Sequence, residues 1–301
     1  MRRAVDIIGR VLIGLGVVVL LFTGYQIWGT SIQEAHAQNA LRNTLVQETN
    51  NDQIRKALTD AAALAKLPTG PPVTAARTTA PPEGEPIGDI RIPVIGVNQV
   101  MVEGTDTPDL RKGPGHYIGT PLPGQRGNAA VAGHRTTYGH PFYNLDAVKV
   151  GDPIVLTTLQ GIFVYDTTKS SVVSPSDASV LRNQVANLIT LTTCNPRFSA
   201  STRLVVQAKL AHTQLYANTL PIENKLHADP VSNHLAGDNS VQWTDTLLWG
   251  FLILALVAAA LYLAHRFRPQ RWPIWIGSVL GGLVLLWFFF GAVSPLLPAS
   301  F

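Results

Sequence analysis

The run LITLTTC at Leu188–Cys194, followed by NPRFSAST and then Arg203, decides the fold. Its first six residues are apolar or β-branched, which favours a buried strand that ends at the turn marked by Asn195-Pro196. A second strand-like run begins at Arg203, so a short loop would let the thiol and the guanidinium face one groove. Cys194 is the only cysteine among 301 residues, and the sequence therefore allows no internal disulfide.

A matching run, NAAVAGHRT at 128–136, carries a small-residue strand into Gly-His. Cysteine, histidine and arginine together suit acyl transfer, because a histidine partner lowers the thiol pKa and keeps a nucleophilic thiolate ready. The same histidine can protonate a leaving amine, and an arginine can hold a developing oxyanion. The sequence therefore predicts Cys194 as nucleophile, His134 as general acid and base, and Arg203 as the oxyanion-binding residue.

These motifs resemble the sortases, the cysteine transpeptidases of Gram-positive bacteria. The resemblance rests on TLTTC at Thr190–Cys194 with an arginine nine positions later, and on AGH at Ala132–His134; it spans roughly Ile87 to His212. The segments GPGHY, which ends at Tyr117, and GHRTTYG, which starts at Gly133, are similar to class E sortases of actinobacteria.

The resemblance implies substrate contacts by Tyr117, Thr192 and Thr193. In class E a tyrosine in the first segment is associated with a preference for L-A-x-T-G over L-P-x-T-G sorting signals. Tyr117 can equally be an aromatic residue that packs beside a Gly-rich turn. His116 is expected to be structural, and Asp146, a candidate to orient His134, reads equally well as part of a turn.

The resemblance also implies the reaction and its partners. The enzyme would cleave the Thr–Gly bond of a secreted protein's C-terminal sorting signal through a thioacyl intermediate. It would then join that protein to an amine on a peptidoglycan precursor or a pilin. No cofactor and no metal are implied. Two alternatives stay open: an inactive membrane scaffold that docks pilins or wall proteins, and an L,D-transpeptidase-like enzyme, although the cysteine motif of the latter is absent.

Short strands punctuated by Gly and Pro predict an all-β domain at 87–214, and the resemblance makes it a closed barrel of about eight strands with short helices. The predicted strands are Ile87–Ile95, Val97–Val102, Asn128–Gly133, Pro153–Leu159, Phe163–Val173, Leu188–Thr193 and Arg203–His212. Short helical turns are predicted at Thr107–Leu110, Phe142–Leu145 and Ser176–Leu181.

The composition predicts membrane segments, because 46% of the residues are hydrophobic and only 14% are charged. Three apolar runs are long enough to cross a bilayer: Val11–Trp28, Leu247–Ala264 and Pro273–Val293. The C-terminal pair departs from most class E sortases, which have one N-terminal anchor. The net charge of +4 is concentrated beside these runs, which argues against nucleic-acid binding.

The predicted organisation has five parts. Residues 1–30 form a basic tail and an anchor, 31–86 a stalk and a Pro/Thr-rich linker that packs no core, 87–214 the catalytic barrel, 215–246 a polar linker, and 247–301 a helical hairpin. The sequence also contains an A-x-A pattern ending at Ala37, so cleavage of a signal peptide remains the alternative to an uncleaved anchor.

We predict that the barrel lies outside the cell and that the loop His265–Trp272 is cytoplasmic, because three arginines in that short loop follow the positive-inside rule. Gln270→Cys and Ala299→Cys, each in a Cys194→Ser background, would be probed on intact cells with an impermeant thiol reagent. We expect labelling at position 299 and protection at position 270; labelling at 270 would overturn this topology.

Overall fold

The computed structural model describes residues 2–48, 68–216, 243–267 and 271–294, together with 52, 55 and 56. Most of the predicted polar linker, at 217–242, lies outside the described residues, and so does the second half of the predicted stalk, at 49–67, apart from 52, 55 and 56. The chain forms two compact units. One comprises Met1–Gly29 with Asn239–Ser300, and the other contains Thr30–Asp238.

The second unit contains a closed barrel of eight strands, as the sequence and its resemblance predicted. In chain order they are β1 Pro86–Ile92, β2 Val97–Glu103, β3 Gly115–His116, β4 Asn128–Ala132, β5 Pro153–Thr158, β6 Gly161–Val173, β7 Leu188–Asn195 and β8 Thr202–Leu215. Around the barrel the order is β1-β2-β3-β4-β7-β8-β6-β5. The strand that the sequence missed, β3, is two residues long and carries no recognisable period.

Alternation along the strands decides which side chains fill the barrel. Ile189 and Leu191 of β7 and Ala129 and Val131 of β4 lie in the main hydrophobic cluster. Because successive side chains of a strand point to opposite faces, Cys194 lies on the outer face of the barrel wall. A smaller cluster lies on this outer face and contains Tyr117, Ala130, Ala132 and Leu181.

Short helices connect the strands. A single α-helical turn, α3 (Thr107–Leu110), lies where the sequence predicts it. Short 3-10 turns lie at Pro93–Ile95, Leu145–Ala147 and Ala178–Leu181. The turn predicted at Phe142–Leu145 is closed by the Leu145 N–H, which donates to the Phe142 carbonyl at 3.2 Å, and it leads directly into the 3-10 turn Leu145–Ala147.

The helix Thr30–Glu48, here α2, packs on the barrel, whereas the sequence predicted a juxtamembrane helix or stalk outside the barrel domain. Leu41 and Leu45 join a buried cluster with Val100, Val155 and other barrel residues. These leucines are four positions apart and therefore share one face of the helix. This face is not evident from the sequence, because a pair of leucines in an alanine-rich, polar run produces only a weak periodic signal.

Polar side chains extend the contact of α2 with the barrel. The amide group of Gln38 donates to the carbonyls of Val100 (2.9 Å) and Lys112 (2.7 Å) and accepts from the Val100 N–H (2.7 Å). Arg42 pairs with the buried carboxylate of Asp89 at 3.1 Å. The helix is therefore part of the folded unit.

The Pro/Thr-rich linker also contributes to the core, contrary to the prediction. Ala75 is buried in the main cluster, and its N–H donates to the Gly124 carbonyl at 2.8 Å. The Thr74 hydroxyl accepts from the Asn187 amide at 2.8 Å. A proline-rich segment cannot form a core of its own, but an extended chain can still place one small side chain and its backbone against an existing barrel.

The first unit is helical. It contains α1 (Arg2–Gly24), a π-helical turn at Tyr25–Gly29, and the C-terminal helices α4 (Trp243–Arg266) and α5 (Arg271–Val293). Among the described residues, three helical runs are long and apolar enough to cross a membrane: Ile8–Gln47, Trp243–Arg266 and Trp272–Val293. Each contains most or all of one predicted span.

We predict that Gln38→Ala lowers the free energy of unfolding by about 1–3 kcal/mol, because it leaves the backbone groups of Val100 without their partner. Gln33→Ala is the matched control on the exposed side of the same helix and should change it by less than about 0.5 kcal/mol. Denaturant titration of the purified full chain in detergent measures both values. Equal stability of the two variants would mean that α2 contributes little to the barrel unit.

Candidate active site

Cys194 and Arg203 lie directly opposite each other on neighbouring strands. In the antiparallel β7–β8 pair, Cys194 is the register partner of Arg203, and Thr192 is the partner of Val205. Directly opposed residues of an antiparallel pair point to the same face with Cβ atoms about 5 Å apart. The register therefore brings the thiol and the guanidinium to the same side of the barrel wall.

His134 reaches the same level from the other side of β7. In the parallel β4–β7 pair Ala132 is the partner of Thr192, and the Gly133 N–H continues the pairing by donating to the Thr192 carbonyl at 3.1 Å. His134 lies two residues beyond Ala132, as Cys194 lies two residues beyond Thr192. Neighbouring strands are about 4.8 Å apart, and β4 ends at Ala132, so His134 lies just beyond the strand end that pairs beside Thr192.

Gly133 allows this arrangement. A Cβ atom at this position would lie 2.6 Å from a ring carbon of Phe142, which is fully buried in the core. No side chain other than hydrogen fits against that ring without displacing it. The glycine therefore lets Phe142 pack directly beneath the chain where it leaves β4 and turns into His134.

The three side chains are almost completely buried. The exposed fraction is 7% for Cys194, 2% for His134 and 7% for Arg203. Burial raises the pKa of the Cys194 thiol, and the positive charges of Arg203 and then Arg135 oppose this increase. Burial, together with the charge of Arg111, lowers the pKa of His134 to about 4.

Burial therefore favours the neutral forms of both the thiol and the imidazole. The sequence predicted a thiolate kept ready by the histidine, and the burial of both groups opposes that charge pair. The physical reason is that a buried charge loses its hydration, which disfavours both the thiolate and the imidazolium when each is considered alone.

Packing orients the imidazole of His134. Neither ring nitrogen has a hydrogen-bond partner among the described residues. The ring of Tyr138 lies against it with the centroids 5.2 Å apart. The Tyr138 N–H donates to the hydroxyl of Thr30 on α2 at 3.2 Å, and the Arg111 guanidinium lies 5.5 Å from the centre of the Tyr138 ring. Helix α2 thus holds the backbone of Tyr138, the residue that packs on His134.

Asp146 does not orient His134. Its carboxylate is bound by Arg135 at 3.1 Å and by Arg197 at 2.9 Å. His116, which the sequence analysis regarded as structural, is buried and bonded at both ring nitrogens. Its Nδ1 contacts Glu103 at 2.7 Å and its Nε2 contacts the Pro121 carbonyl at 3.0 Å.

The three residues predicted to contact substrate lie in different positions. Thr192 is on the same face as Cys194, and its hydroxyl is 3.0 Å from that of Tyr117. Burial raises the pKa of Tyr117 to about 12, so this hydroxyl stays protonated. Thr193 points to the opposite face, where its hydroxyl donates to the Gly133 carbonyl at 2.7 Å. That bond favours a role in aligning β7 with the residue before His134 rather than contact with substrate.

Three residues to which the sequence motifs assign no role also surround the site: Arg135, Tyr138 and Arg111. Arg135 contacts the backbone of the cysteine, and the other two lie in line behind the histidine. Arg135 and Tyr138 belong to the GHRTTYG run that carried the resemblance, so their proximity to His134 was the available signal. Arg111 gave none, because its position depends on how the chain folds back after β2.

Comparison with known proteins gives a consistent result. The Sortase domain family matches residues 90–211. Sortase SrtE1 of Streptomyces coelicolor is 33% identical over 219 residues, which cover 67% of this chain and 56% of that protein. The protein YwpE of Bacillus subtilis is 30% identical over 93 residues, which cover 31% of this chain and 91% of that shorter protein.

Among solved structures, sortase E from Streptomyces avermitilis is 38% identical, with a TM-score of 0.41 and coverage of 47% of this chain and 98% of that one. The chain spans a little more than half the length of SrtE1, and the residues that match the family include His134, Cys194 and Arg203. The family match, the relatives and the eight-stranded barrel agree, and the chain belongs to the sortase family.

Proposed function

We propose that this chain is a membrane-bound cysteine transpeptidase that cleaves a C-terminal L-A-x-T-G or L-P-x-T-G sorting signal and transfers the protein to an amine. The observation that carries the proposal is the position of Cys194 in the register. Arg203 lies directly opposite it on β8, and His134 follows two residues after the end of β4, the strand that pairs with β7 on its other side. Membership of the sortase family supports the same reaction class.

The first half-reaction forms a thioester. The thiol proton of Cys194 moves to His134, and Sγ attacks the carbonyl carbon of the signal's threonine. The C–N bond to glycine then breaks, and His134 returns the proton to the leaving amine. In the second half-reaction an incoming amine attacks the thioester, His134 takes its proton, and the thiolate of Cys194 leaves and is reprotonated.

Arg203 is suited to the developing negative charge. Its Nη1 donates to the carbonyls of Ala200 at 3.0 Å and Thr202 at 3.2 Å, which fixes the guanidinium at the start of β8. A held guanidinium acts in a dry site where electrostatic stabilisation of an oxyanion is strong. Its charge also lowers the thiol pKa against the effect of burial.

We place the upstream part of the signal along the outer face of the barrel wall. A cavity of about 250 Å³ lies between Gly119–Pro121 and the turn at Ala178–Asn183. Leu181 lines this cavity and also packs with Tyr117, which bonds Thr192 two residues before the nucleophile. An apolar side chain of the signal fits this cavity, and the threonine of the signal would then lie toward Cys194.

The partners of the proposed reaction are secreted proteins that bear such a signal and an amine on a peptidoglycan precursor or a pilin. The three apolar helical runs support anchoring in the cell membrane. We propose that the barrel lies on the extracytoplasmic side, where exported substrates and cell-wall precursors meet. No cofactor or metal takes part in the proposed steps.

We expect Cys194→Ala and His134→Ala to abolish release of the glycine fragment from an L-A-x-T-G peptide, since they remove the nucleophile and the proton carrier. Arg203→Lys keeps the charge but loses the planar fork, and it should lower kcat/KM by about a hundredfold or more. Fragment release by the full chain in detergent measures all three.

Arg126→Lys is the matched control, because Arg126 is exposed and away from the register that aligns the three residues. It should retain the wild-type rate. Thermal unfolding of each variant separates loss of chemistry from loss of fold. Wild-type turnover by a folded Cys194→Ala protein would contradict the proposed mechanism. Wild-type turnover by Arg203→Lys would exclude Arg203 from that mechanism.

We further expect Tyr117→Ala to lower kcat/KM for an L-A-x-T-G peptide more than for an L-P-x-T-G peptide. Alanine is smaller than the proline of the other signal, and we expect the Tyr117 ring, which is buried beside Thr192, to fill the space that this difference leaves. Tyr117→Phe keeps the ring and removes only the hydroxyl bond to Thr192, so it separates shape from hydrogen bonding. Equal losses on both peptides would assign Tyr117 to packing alone.

A further inference from the structure

Arg135, the residue after His134, connects three segments around the nucleophile. Its side chain is 3% exposed. Nη1 donates to the Cys194 carbonyl at 3.2 Å and to the Asn195 side-chain oxygen at 2.9 Å. Nη2 pairs with Asp146 at 3.1 Å, and Nε donates to the Tyr143 carbonyl at 3.4 Å. The guanidinium of Arg135 therefore connects the segment that follows His134 with the end of β7 and with the 143–146 segment.

The bond to the Cys194 carbonyl lies where the parallel β4–β7 pairing stops. The last backbone bond from the β4 side is donated by Gly133 to the Thr192 carbonyl. Two residues further along β7, the side chain of Arg135 supplies a donor to the Cys194 carbonyl. The guanidinium thus extends the hydrogen bonding to the residue that bears the thiol, after the chain of β4 has turned into His134.

The charge of Arg135 acts on the same residue. Burial raises the pKa of the Cys194 thiol, and Arg203 and Arg135 both lower it. Arg203 lies on the β8 side of the cysteine and Arg135 on the β4 side. A thiolate formed at Cys194 therefore has a cation on each flank, which partly replaces the hydration that it loses in the buried site.

We propose that Arg135 is a positioning residue for the nucleophile, which holds the Cys194 backbone in place and stabilises the thiolate as a second cation beside Arg203. This role rests on the proposed transpeptidase function. It is distinct from the proton transfer by His134 and from the binding of the oxyanion by Arg203, because Arg135 acts through Cys194 and need not contact the substrate.

A purely structural role for Arg135 is the competing explanation, and the chain offers a control for it. Arg197 binds the same Asp146 carboxylate at 2.9 Å and the same Tyr143 carbonyl at 3.1 Å. None of the hydrogen bonds described for Arg197 reaches Cys194, and the charges that act on the thiol are those of Arg203 and Arg135. Loss of Arg197 therefore reproduces the loss of the shared contacts without altering the nucleophile.

The test uses the full chain in detergent with Arg135→Gln, Arg135→Lys and Arg197→Gln. Because the chain has one cysteine, the pH dependence of iodoacetamide alkylation reports the apparent pKa of Cys194 alone, independently of any sorting signal. We expect Arg135→Gln to raise this pKa by about half a unit, which slows alkylation near neutral pH about threefold. Arg197→Gln should leave the profile unchanged.

Turnover of the sorting-signal peptide supplies the second readout. Arg135→Lys keeps the charge and loses the fork, so we expect a near-normal thiol pKa, a kcat lowered about tenfold or more and a KM close to the wild-type value. This variant also carries the test if Arg135→Gln does not fold. Thermal midpoints of all three variants are measured alongside.

The outcomes separate the two ideas. Identical alkylation profiles for Arg135→Gln and Arg197→Gln, with only the thermal midpoints lowered, would overturn the positioning role, as would a wild-type kcat for Arg135→Lys. If the wild-type chain cleaves no sorting-signal peptide, the proposed function fails. The alkylation profiles still decide in that case whether Arg135 acts on the Cys194 thiol.

Discussion

The site depends on one constraint, the register of β7 between its two neighbours. The parallel pairing with β4 stops beside Thr192, and the antiparallel pairing with β8 sets Cys194 against Arg203. Because side chains alternate along a strand, a slip of one residue in either pairing would move the cysteine to the interior of the barrel or the arginine away from it. The packed core, with Ile189 and Leu191 inside, excludes such a slip.

Burial is the second constraint on the site. The thiol and the imidazole lie where water is largely excluded, and this burial favours the neutral form of each. Arg203 and Arg135 partly offset this cost for the thiolate. The same dry surroundings strengthen the interaction of a guanidinium with an oxyanion, so the feature that suppresses charge at rest assists the proposed reaction once charge develops.

Helix α2 and the Pro/Thr-rich linker both pack on the barrel, although their composition indicates a stalk and a spacer. Gln38, Leu41 and Arg42 of α2 all contact the barrel, and Thr30 holds the backbone of Tyr138, which packs on His134. Single residues of a polar helix make these contacts, so the apolar residues of α2 show only a weak helical periodicity in the sequence. The linker contributes through Ala75 and its backbone, which leaves no signature in side-chain chemistry. Sequence reasoning therefore recognised a stalk and a spacer and missed their packing.

The sequence by itself determined the strand runs, the apolar helical runs and the motifs around Cys194, His134 and Arg203, because alternation, hydropathy and turn residues are local properties of the chain. It also determined that Gly precedes the histidine, which the ring of Phe142 requires. Only the tertiary structure decided the burial that shifts the pKa values of Cys194 and His134, the hydroxyl partners of Thr192 and Thr193, and the contact of Arg135 with the cysteine carbonyl. Those features depend on burial and on strands far apart in the sequence, and neither is fixed until the barrel closes.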